Sequence, residues 1–223
     1  MNRSMSLKLF VALLLFINLA SCSSSSYISS SYISAFDLIK NQFSEDNNIF
    51  TRDQINKIPY ASAILSFEGA SQSLVILESS EENKNQWISS DFIKFTENDG
   101  RIIRTIGLPN DLYSIQRPKL DFNFLLSKGE FKYIAYYSFR NTTLNNLKVE
   151  IRSEVVGIEQ VSIFGLEKDL ILIEEHLYSS SVNWQATNKF WIDPESYYVW
   201  KSKQALTPRL PYLSFSVTKK PAL

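Results

Sequence analysis

From residue 60 onward, apolar and polar side chains alternate along the chain with a period of two residues. In the clearest stretch every second residue is apolar: Phe131, Tyr133, Ala135, Tyr137 and Phe139. Because successive side chains of a strand point to opposite faces of a sheet, this pattern buries one face and exposes the other. A helix, with 3.6 residues per turn, does not produce it. The chain is therefore predicted to fold mainly as β-sheet.

Similar stretches recur along the chain and are separated by short polar segments. They lie at 61–67, 74–77, 86–97, 101–108, 149–155, 158–164, 169–178, 188–193, 197–206 and 212–218. Asn98-Asp99-Gly100 predicts a tight hairpin turn, since Asp and Gly accept the positive φ that such turns require. About ten strands with short connections indicate an all-β fold, either an antiparallel barrel-like domain or a sandwich.

The second face of the stretch 148–155 carries four charged residues, namely Lys148, Glu150, Arg152 and Glu154. Strands that span a membrane need a continuous apolar band facing the lipid. The domain is therefore predicted to be water-soluble. One or two short N-terminal helices are predicted to precede it: one over 32–44, where apolar residues recur at helical spacing, and one that begins at the Thr51/Gln54 capping box and ends before Pro59.

The first 22 residues have the three-part layout of a secretory signal peptide. Arg3 and Lys8 give a positive start, the run 9–19 is apolar except for one asparagine, and two small residues precede Cys22. The apolar run is too short for a transmembrane helix, which needs about 20 residues. The tetrapeptide 19–22 (Leu-Ala-Ser-Cys) resembles the bacterial lipobox, whose cysteine is lipidated before cleavage. The alternative is an ordinary signal peptide with an incidental cysteine.

Lipidation of Cys22 sets the expected organisation: a signal peptide over 1–21 that is removed, a lipidated serine-rich tether over 22–31, and a single β-rich domain with N-terminal helices over 32–223. Two or more acyl chains anchor a protein stably. Inner-membrane lipoproteins often carry aspartate after the cysteine, so Ser23 favours the outer membrane, with the domain facing the periplasm. Cys22 is the only cysteine, so a lipidated chain has no disulfide, free thiol or cysteine metal site.

Charge and motifs limit the remaining function classes. The chain has 23 basic and 23 acidic side chains, and loss of Arg3 and Lys8 with the signal peptide leaves a formal charge of −2. This balance does not suggest a nucleic-acid partner, and no GxGxxG or GxxxxGK[ST] motif suggests a nucleotide cofactor. The only histidine lies in Glu174-Glu175-His176. On a strand Glu175 points away from its two neighbours, which leaves two ligands where catalytic zinc usually has three, so neither a metal nor a cofactor is predicted.

Two further groups of residues could carry chemistry. Asp193 and Glu195 are carboxylates of the kind that hydrolyse glycosides, but the segment 193–196 (Asp-Pro-Glu-Ser) is typical of a turn between strands. Three of the four tryptophans are candidate sugar contacts, because a flat aromatic ring suits the apolar face of a sugar: Trp87, Trp191 and Trp200. The alternative, which we favour, is that they are core and rim residues. No catalytic residue is assigned.

Five blocks in a fixed order give the chain a distinctive pattern. They are 59–63 (PYASA), 86–91 (QWISSD), 98–109 (NDGRIIRTIGLP), 190–195 (FWIDPE) and 199–204 (VWKSKQ). Together with the lipobox, they resemble the group 4 capsule polysaccharide lipoprotein family (the GfcB/YjbF type), over most of residues 59–218. One position departs from the pattern, because Tyr197 stands where the family has glycine. Since tyrosine adopts a positive φ only at a cost, this turn is expected to differ in type or length.

The resemblance implies an all-β, barrel-like outer-membrane lipoprotein among genes for capsule or exopolysaccharide production and export. It implies no reaction. We therefore expect a non-enzymatic accessory factor that meets outer-membrane polysaccharide export proteins, and the polysaccharide itself if the tryptophans bind it. Two alternatives stay open. One is a carrier that encloses a lipid or glycan inside the barrel, which a solidly packed interior would exclude. The other is a glycan-active enzyme that uses Asp193, Glu195 or the Glu174/His176 pair.

Overall fold

The computed structural model of the protein describes residues 50–119, 122–140 and 143–221. Cys22, the predicted signal peptide and tether, and the helix predicted over 32–44 lie outside the described residues. The described chain forms one sheet of twelve strands with two short α-helices. The all-β, barrel-like prediction is confirmed, with twelve strands in place of about ten. None of the helices in the described ranges has the length and apolar character needed to cross a membrane.

Most elements follow one another as a meander of antiparallel strands. Helix α1 is Arg52–Asn56, helix α2 is Phe122–Lys128, and Ser180–Val182 is a single 3-10 turn. The strands are β1 (Ser62–Phe67), β2 (Ser73–Glu81), β3 (Lys84–Ser89), β4 (Lys94–Asn98), β5 (Arg101–Ile106), β6 (Leu112–Gln116), β7 (Glu130–Phe139), β8 (Leu147–Ile163), β9 (Leu166–Ser179), β10 (Trp184–Ile192), β11 (Val199–Gln204) and β12 (Leu213–Lys219). The predicted capping box starts α1, since Thr51 and Gln54 each accept a hydrogen bond from the other's backbone N–H, at 3.4 and 2.9 Å.

The sheet is almost a closed ring. Its strand order is β5-β4-β3-β2-β1-β12-β11-β10-β9-β8-β7-β6. The first and last strands pair with each other, with Leu65 opposite Phe215. Among the described strands, the ring is therefore complete except at one step, between β5 and β6. Closure matters because a free strand edge exposes unpaired backbone groups.

A buried carboxylate holds this open step together. Asp111 accepts hydrogen bonds from the Thr105 hydroxyl at 2.9 Å and from the backbone N–H groups of Leu108 at 3.0 Å and Gly107 at 3.1 Å. The Leu112 N–H in turn donates to the Thr105 hydroxyl at 2.9 Å. Side chains thus join the ends of β5 and β6, where no backbone ladder does. We call this junction the seam.

The ring is filled by the inward-facing side chains of the strands. On β7 four of the five predicted inward residues, Tyr133, Ala135, Tyr137 and Phe139, are buried, and Phe131 is half-buried. The bulkiest side chains with almost no exposure are Trp87, Phe95 and Phe190. Interior burial of this kind supplies most of the favourable free energy of folding.

Three parts of the sequence prediction need correction. The stretch 86–97 is two strands, because Phe92 has a φ of 60° and donates its N–H to the Ser89 carbonyl at 3.0 Å, which reverses the chain. The stretches 149–155 and 158–164 are one strand, β8, with a bulge between Val155 and Gly157 that shifts the alternation. Residues 109–130, to which no element was assigned, contain β6 and α2.

The prediction for Tyr197 assumed that tyrosine avoids a positive φ, and this assumption is wrong. Tyr197 has a φ of 55° in the turn between β10 and β11. Asp193 organises this turn: Oδ1 accepts the N–H groups of Glu195 at 3.2 Å and Ser196 at 2.9 Å, and its carbonyl accepts the N–H of Tyr197 at 2.9 Å. These bonds offset the roughly 1–2 kcal/mol that a left-handed residue costs.

Gly100→Ala is predicted to destabilise the protein more than Gly165→Ala. Both glycines lie in hairpin turns, with φ values of +78° and +79°. A Cβ at Gly100 would overlap the Val199 side chain, whereas nothing lies within 4 Å at Gly165. We expect the free energy of unfolding to fall by about 3 kcal/mol for Gly100→Ala and about 1 kcal/mol for Gly165→Ala. Urea denaturation followed by tryptophan fluorescence measures both, and equal losses would contradict the predicted overlap.

Candidate functional site

Strand β9 sends three neighbouring ionisable residues to opposite faces of the sheet. Glu175 points into the ring and is 3% exposed, while Glu174 and His176 are half-buried on the outer face. The two-residue period of the strand predicts this separation. The ionisable groups of β9 therefore belong to two separate clusters, one inside the ring and one on its outer face.

Inside the ring, a polar cluster is centred on Glu175. Its Oε1 accepts hydrogen bonds from Arg101 Nη2, from the Tyr133 hydroxyl at 3.1 Å and from the Ser153 hydroxyl at 3.0 Å. The four residues come from β5, β7, β8 and β9. The cluster thus fastens strands on both sides of the seam to one carboxylate.

Two aromatic rings hold the guanidinium of Arg101. It lies 4.4 Å from the ring centre of Phe122, on α2, and 4.6 Å from that of Phe190. Arg101 Nε and Nη1 make no hydrogen bond to the described residues. Cation–π attraction stabilises a desolvated guanidinium. The charge of Arg101 is therefore balanced by the Glu175 carboxylate and by the rings of Phe122 and Phe190.

The charges of this cluster suit a structural role. Burial lowers the pKa of Arg101, but the charge and hydrogen bond of Glu175 together with Tyr133 and Tyr137 outweigh burial, and the pKa is raised overall. Burial, together with the Glu175 charge, raises the pKa of Tyr133 to about 12. Arg101 therefore stays charged and Tyr133 stays protonated near neutral pH, so neither is poised for the proton transfer that acid–base catalysis needs.

Sequence reasoning missed this cluster, although one signal was available. Glu175 shares its strand parity with Ile171, Ile173 and Leu177, all apolar. An acidic residue at an inward position predicts a buried partner, because an isolated buried carboxylate is costly. The identity of that partner depends on tertiary structure, since Arg101 lies 74 residues away.

The enclosed cavity beside the cluster is very small. It has a volume of about 10 Å³ and is lined by residues that include Arg101, Phe131 and Tyr133. That is room for one water molecule at most, whereas ligand pockets are roughly 300–1,000 Å³. A lipid or glycan does not fit in this cavity, which argues against a carrier that holds its ligand beside the cluster.

The cluster on the outer face contains one acidic group that the sequence analysis did not include, Glu154. Glu154 lies opposite Glu174 in the β8–β9 register, and His176 Nε2 is 2.9 Å from Glu154 Oε1 and 3.8 Å from Glu174 Oε2. The expectation of only two possible metal ligands is therefore wrong. Both carboxylates are already paired, however, Glu174 with Lys189 at 2.7 Å and Glu154 with Arg152 at 3.3 Å.

These pairs make the outer cluster a network of surface ion pairs. The hydrogen bond from His176 lowers the pKa of Glu154, which therefore stays ionised near neutral pH. Arg152 and Lys189 supply the positive charge that a metal would otherwise bring. We assign no metal to Glu154, Glu174 and His176.

Asp193 and Glu195 lie in a turn, and Asp193 does not have the properties of a general acid. The Asp193 carboxylate is committed to its turn, and Oδ2 also accepts the Trp200 Nε1–H at 3.3 Å. Partial burial raises the pKa of Asp193, but the hydrogen bonds donated by Ser196, Trp200 and Glu195 outweigh it and lower the pKa to about 2. A glycosidase general acid needs a raised pKa. Asp193 is suited to shaping a turn.

Trp87 cannot contact a glycan in this structure. Its exposed fraction is 0%, and its ring lies edge-on to Phe215 with 5.5 Å between ring centres. The hypothesis of sugar contact is wrong for Trp87, because its position on β3 faces the core.

Trp191 and Trp200 are half-buried and pack against a small outer cluster of Val161, Ile163 and Leu170. They are not directly opposite each other, since Trp191 faces Lys201 in the register. Lysine ammonium groups approach both rings, Lys201 at 5.1 Å from Trp191 and Lys168 at 4.3 Å from Trp200. Packing accounts for both tryptophans, and their contact with a glycan stays a prediction.

Known proteins share both the sequence pattern and the fold. The pattern of the family described as "Group 4 capsule polysaccharide lipoprotein gfcB, YjbF" matches residues 35–217, which confirms the resemblance seen in the five blocks. The uncharacterized lipoprotein GfcB of Escherichia coli K12 is 24% identical over 182 residues, covering 78% of this chain and 83% of GfcB. The uncharacterized lipoprotein YjbF of the same strain is 21% identical over 158 residues, covering 65% of this chain and 69% of YjbF.

The crystal structure of the hypothetical lipoprotein YmcC from Escherichia coli K12 has a similar fold. It superposes with a TM-score of 0.68 at 21% sequence identity, and the match covers 86% of this chain and 96% of YmcC. This likeness shows that the fold is shared with a solved structure.

Glu175→Gln is predicted to lower the free energy of unfolding by about 3–5 kcal/mol, because it leaves the buried Arg101 charge without its partner. Glu174→Gln, the matched change on the outer face, should cost less than about 1 kcal/mol. The double variant Arg101→Met/Glu175→Gln should regain about half of the loss or more, since no buried charge remains. Guanidinium denaturation of the three variants measures this, and a double variant weaker than Glu175→Gln would contradict it.

Proposed function

The chain belongs to the group 4 capsule polysaccharide lipoprotein family, and from this premise we propose that it is a non-enzymatic accessory factor in capsule or exopolysaccharide production or export. The observation that carries the proposal is the match of the family pattern over residues 35–217. The protein acts as a β-domain that meets other components of the export machinery.

The domain is held at the outer membrane by acyl chains on Cys22 and faces the periplasm. The lipobox at 19–22 and the lipoprotein names of the relatives support the anchor. Ser23 supports the outer membrane, since aspartate at this position often retains lipoproteins in the inner membrane. Acyl chains, rather than a helix, then provide membrane affinity.

The ionisable groups of the described residues support a role without catalysis. Asp193 is committed to a turn, Glu175 to a buried ion pair, and Glu174 to Lys189. An accessory role needs a stable surface for partners instead. We expect those partners to be outer-membrane polysaccharide export proteins.

Deletion of the gene is predicted to lower the amount of surface or secreted polysaccharide, because an export component is lost. A plasmid copy of the natural gene should restore it, and a Cys22→Ser copy should not, since the protein would leave the membrane. Polysaccharide is quantified from washed cells and medium, and the protein from membrane fractions. Unchanged polysaccharide in the deletion strain would refute the proposed function.

Ser23→Asp is predicted to move the protein from the outer to the inner membrane, whereas Ser23→Ala should leave it in place. Sucrose-gradient separation of the two membranes, followed by immunoblotting, measures the distribution. Recovery of Ser23→Ala in the inner membrane would contradict the outer-membrane assignment, and loss of both proteins from the membranes would contradict lipidation.

A further inference from the structure

An open groove lies at the seam between β5 and β6. Its volume is about 390 Å³, which falls within the roughly 300–1,000 Å³ of small-molecule sites. One wall comes from β2 to β5 and the other from β6. The groove is thus far larger than the enclosed cavity of about 10 Å³ inside the ring.

The wall formed by β2 to β5 carries a straight row of polar side chains. In the strand registers Ser79 lies opposite Gln86, Gln86 opposite Thr96, and Thr96 opposite Arg104. Neighbouring strands are about 4.8 Å apart, so the row is about 14 Å long. Its hydroxyl and amide groups can donate and accept hydrogen bonds, and its guanidinium group donates them.

The opposite wall provides an aromatic surface. Tyr113 of β6 is 48% exposed, because the buried Leu112 beside it takes the inward position. The guanidinium groups of Arg104 and Arg140 lie 5.5 and 5.4 Å from the centre of its ring. These contacts restrain the tyrosine at the edge of the groove.

Arg104 adds a donor that the protein leaves unused. Its Nε is buried and makes no hydrogen bond to the described residues. Buried polar atoms in proteins nearly always have a partner. Because Nε has no exposed surface, a ligand in the groove would meet the terminal Nη groups of Arg104, which lines the groove.

The charges of the groove are of both signs. Lys84 and Arg104 are balanced by Glu81 and Glu82. Such a surface does not favour a polyanion, and it suits an uncharged ligand that is rich in hydroxyl groups. Sugars meet these requirements, because they combine hydroxyl groups with apolar C–H faces that stack on aromatic rings.

We propose that the seam groove binds uncharged sugar units of the polysaccharide on which the protein acts. The inference rests on the proposed function and adds to it a site and a ligand class. Tyr113 stacks on one face of a sugar ring, and Gln86, Thr96 and Arg104 bond to its hydroxyl groups. The site lies outside the ring, so it requires no opening of the packed interior.

The test is a calorimetric titration of the full lipidated protein in detergent micelles. The probe is a set of oligosaccharides made by partial hydrolysis of the surface polysaccharide of the producing strain. Tyr113→Ala should weaken binding about tenfold, while Tyr113→Phe keeps the ring and should stay within about twofold of the natural protein. Tyr136→Ala is the matched control, since Tyr136 is 40% exposed on β7 and does not line the groove.

Lack of binding by the natural protein, or an equal loss for Tyr113→Ala and Tyr136→Ala, would overturn the inference. Circular dichroism of each variant checks that the fold is retained, and Tyr113→Phe reports on the ring if Tyr113→Ala does not fold. The gene deletion tests the proposed function separately. Reduced polysaccharide in the deletion strain without binding would refute only the groove, whereas binding with unchanged polysaccharide would refute only the export role.

Discussion

The pairing of β1 with β12 is the constraint on which the rest of the structure depends. Backbone N–H and C=O groups along a strand need partners, and this pairing supplies them at the two ends of the β-domain. Because Ser62 and Lys219 meet in the ladder, the break in the ring falls in the middle of the chain instead of between its ends. That break is closed at one end by Asp111 and open enough elsewhere to form the groove. The same topology thus determines the packed interior and the location of the groove.

Charge is neutralised locally on both faces of the sheet. Inside the ring, Glu175 and Arg101 form one ion pair within a shell of hydrogen bonds and aromatic rings. Outside it, Glu154 and Glu174 lie side by side and are each paired with a cation. Catalytic sites usually keep at least one group with a pKa matched to its task. These ion-paired groups hold strands together, which agrees with an accessory role that depends on binding surfaces.

The sequence was informative wherever a local pattern determines the structure. The alternation on β7 and the capping box at Thr51 were predictable, since both depend on residues a few positions apart. Strand β6 has five residues and α2 has seven, which is too short for a period to be recognised. The contact of Glu154 with His176 depends on the pairing register of β8 and β9, which contains a bulge. The row that lines the groove crosses four strands. Such relations arise from tertiary structure, and no local pattern encodes them.

The double pairing of β1 also has a mechanical consequence. Strand β1 has a neighbour on each edge, β2 and β12, and Lys219 Nζ reaches back to the carbonyl of Ile58 at 3.2 Å. A pull transmitted from the N-terminal side of the chain passes helix α1 and then reaches β1 before any other strand. The backbone hydrogen bonds between strands run perpendicular to β1. A force along β1 would therefore shear these bonds, and many of them would have to break at the same time. A domain suspended from a lipid by its leading segment would therefore resist tension at the strand where that tension enters.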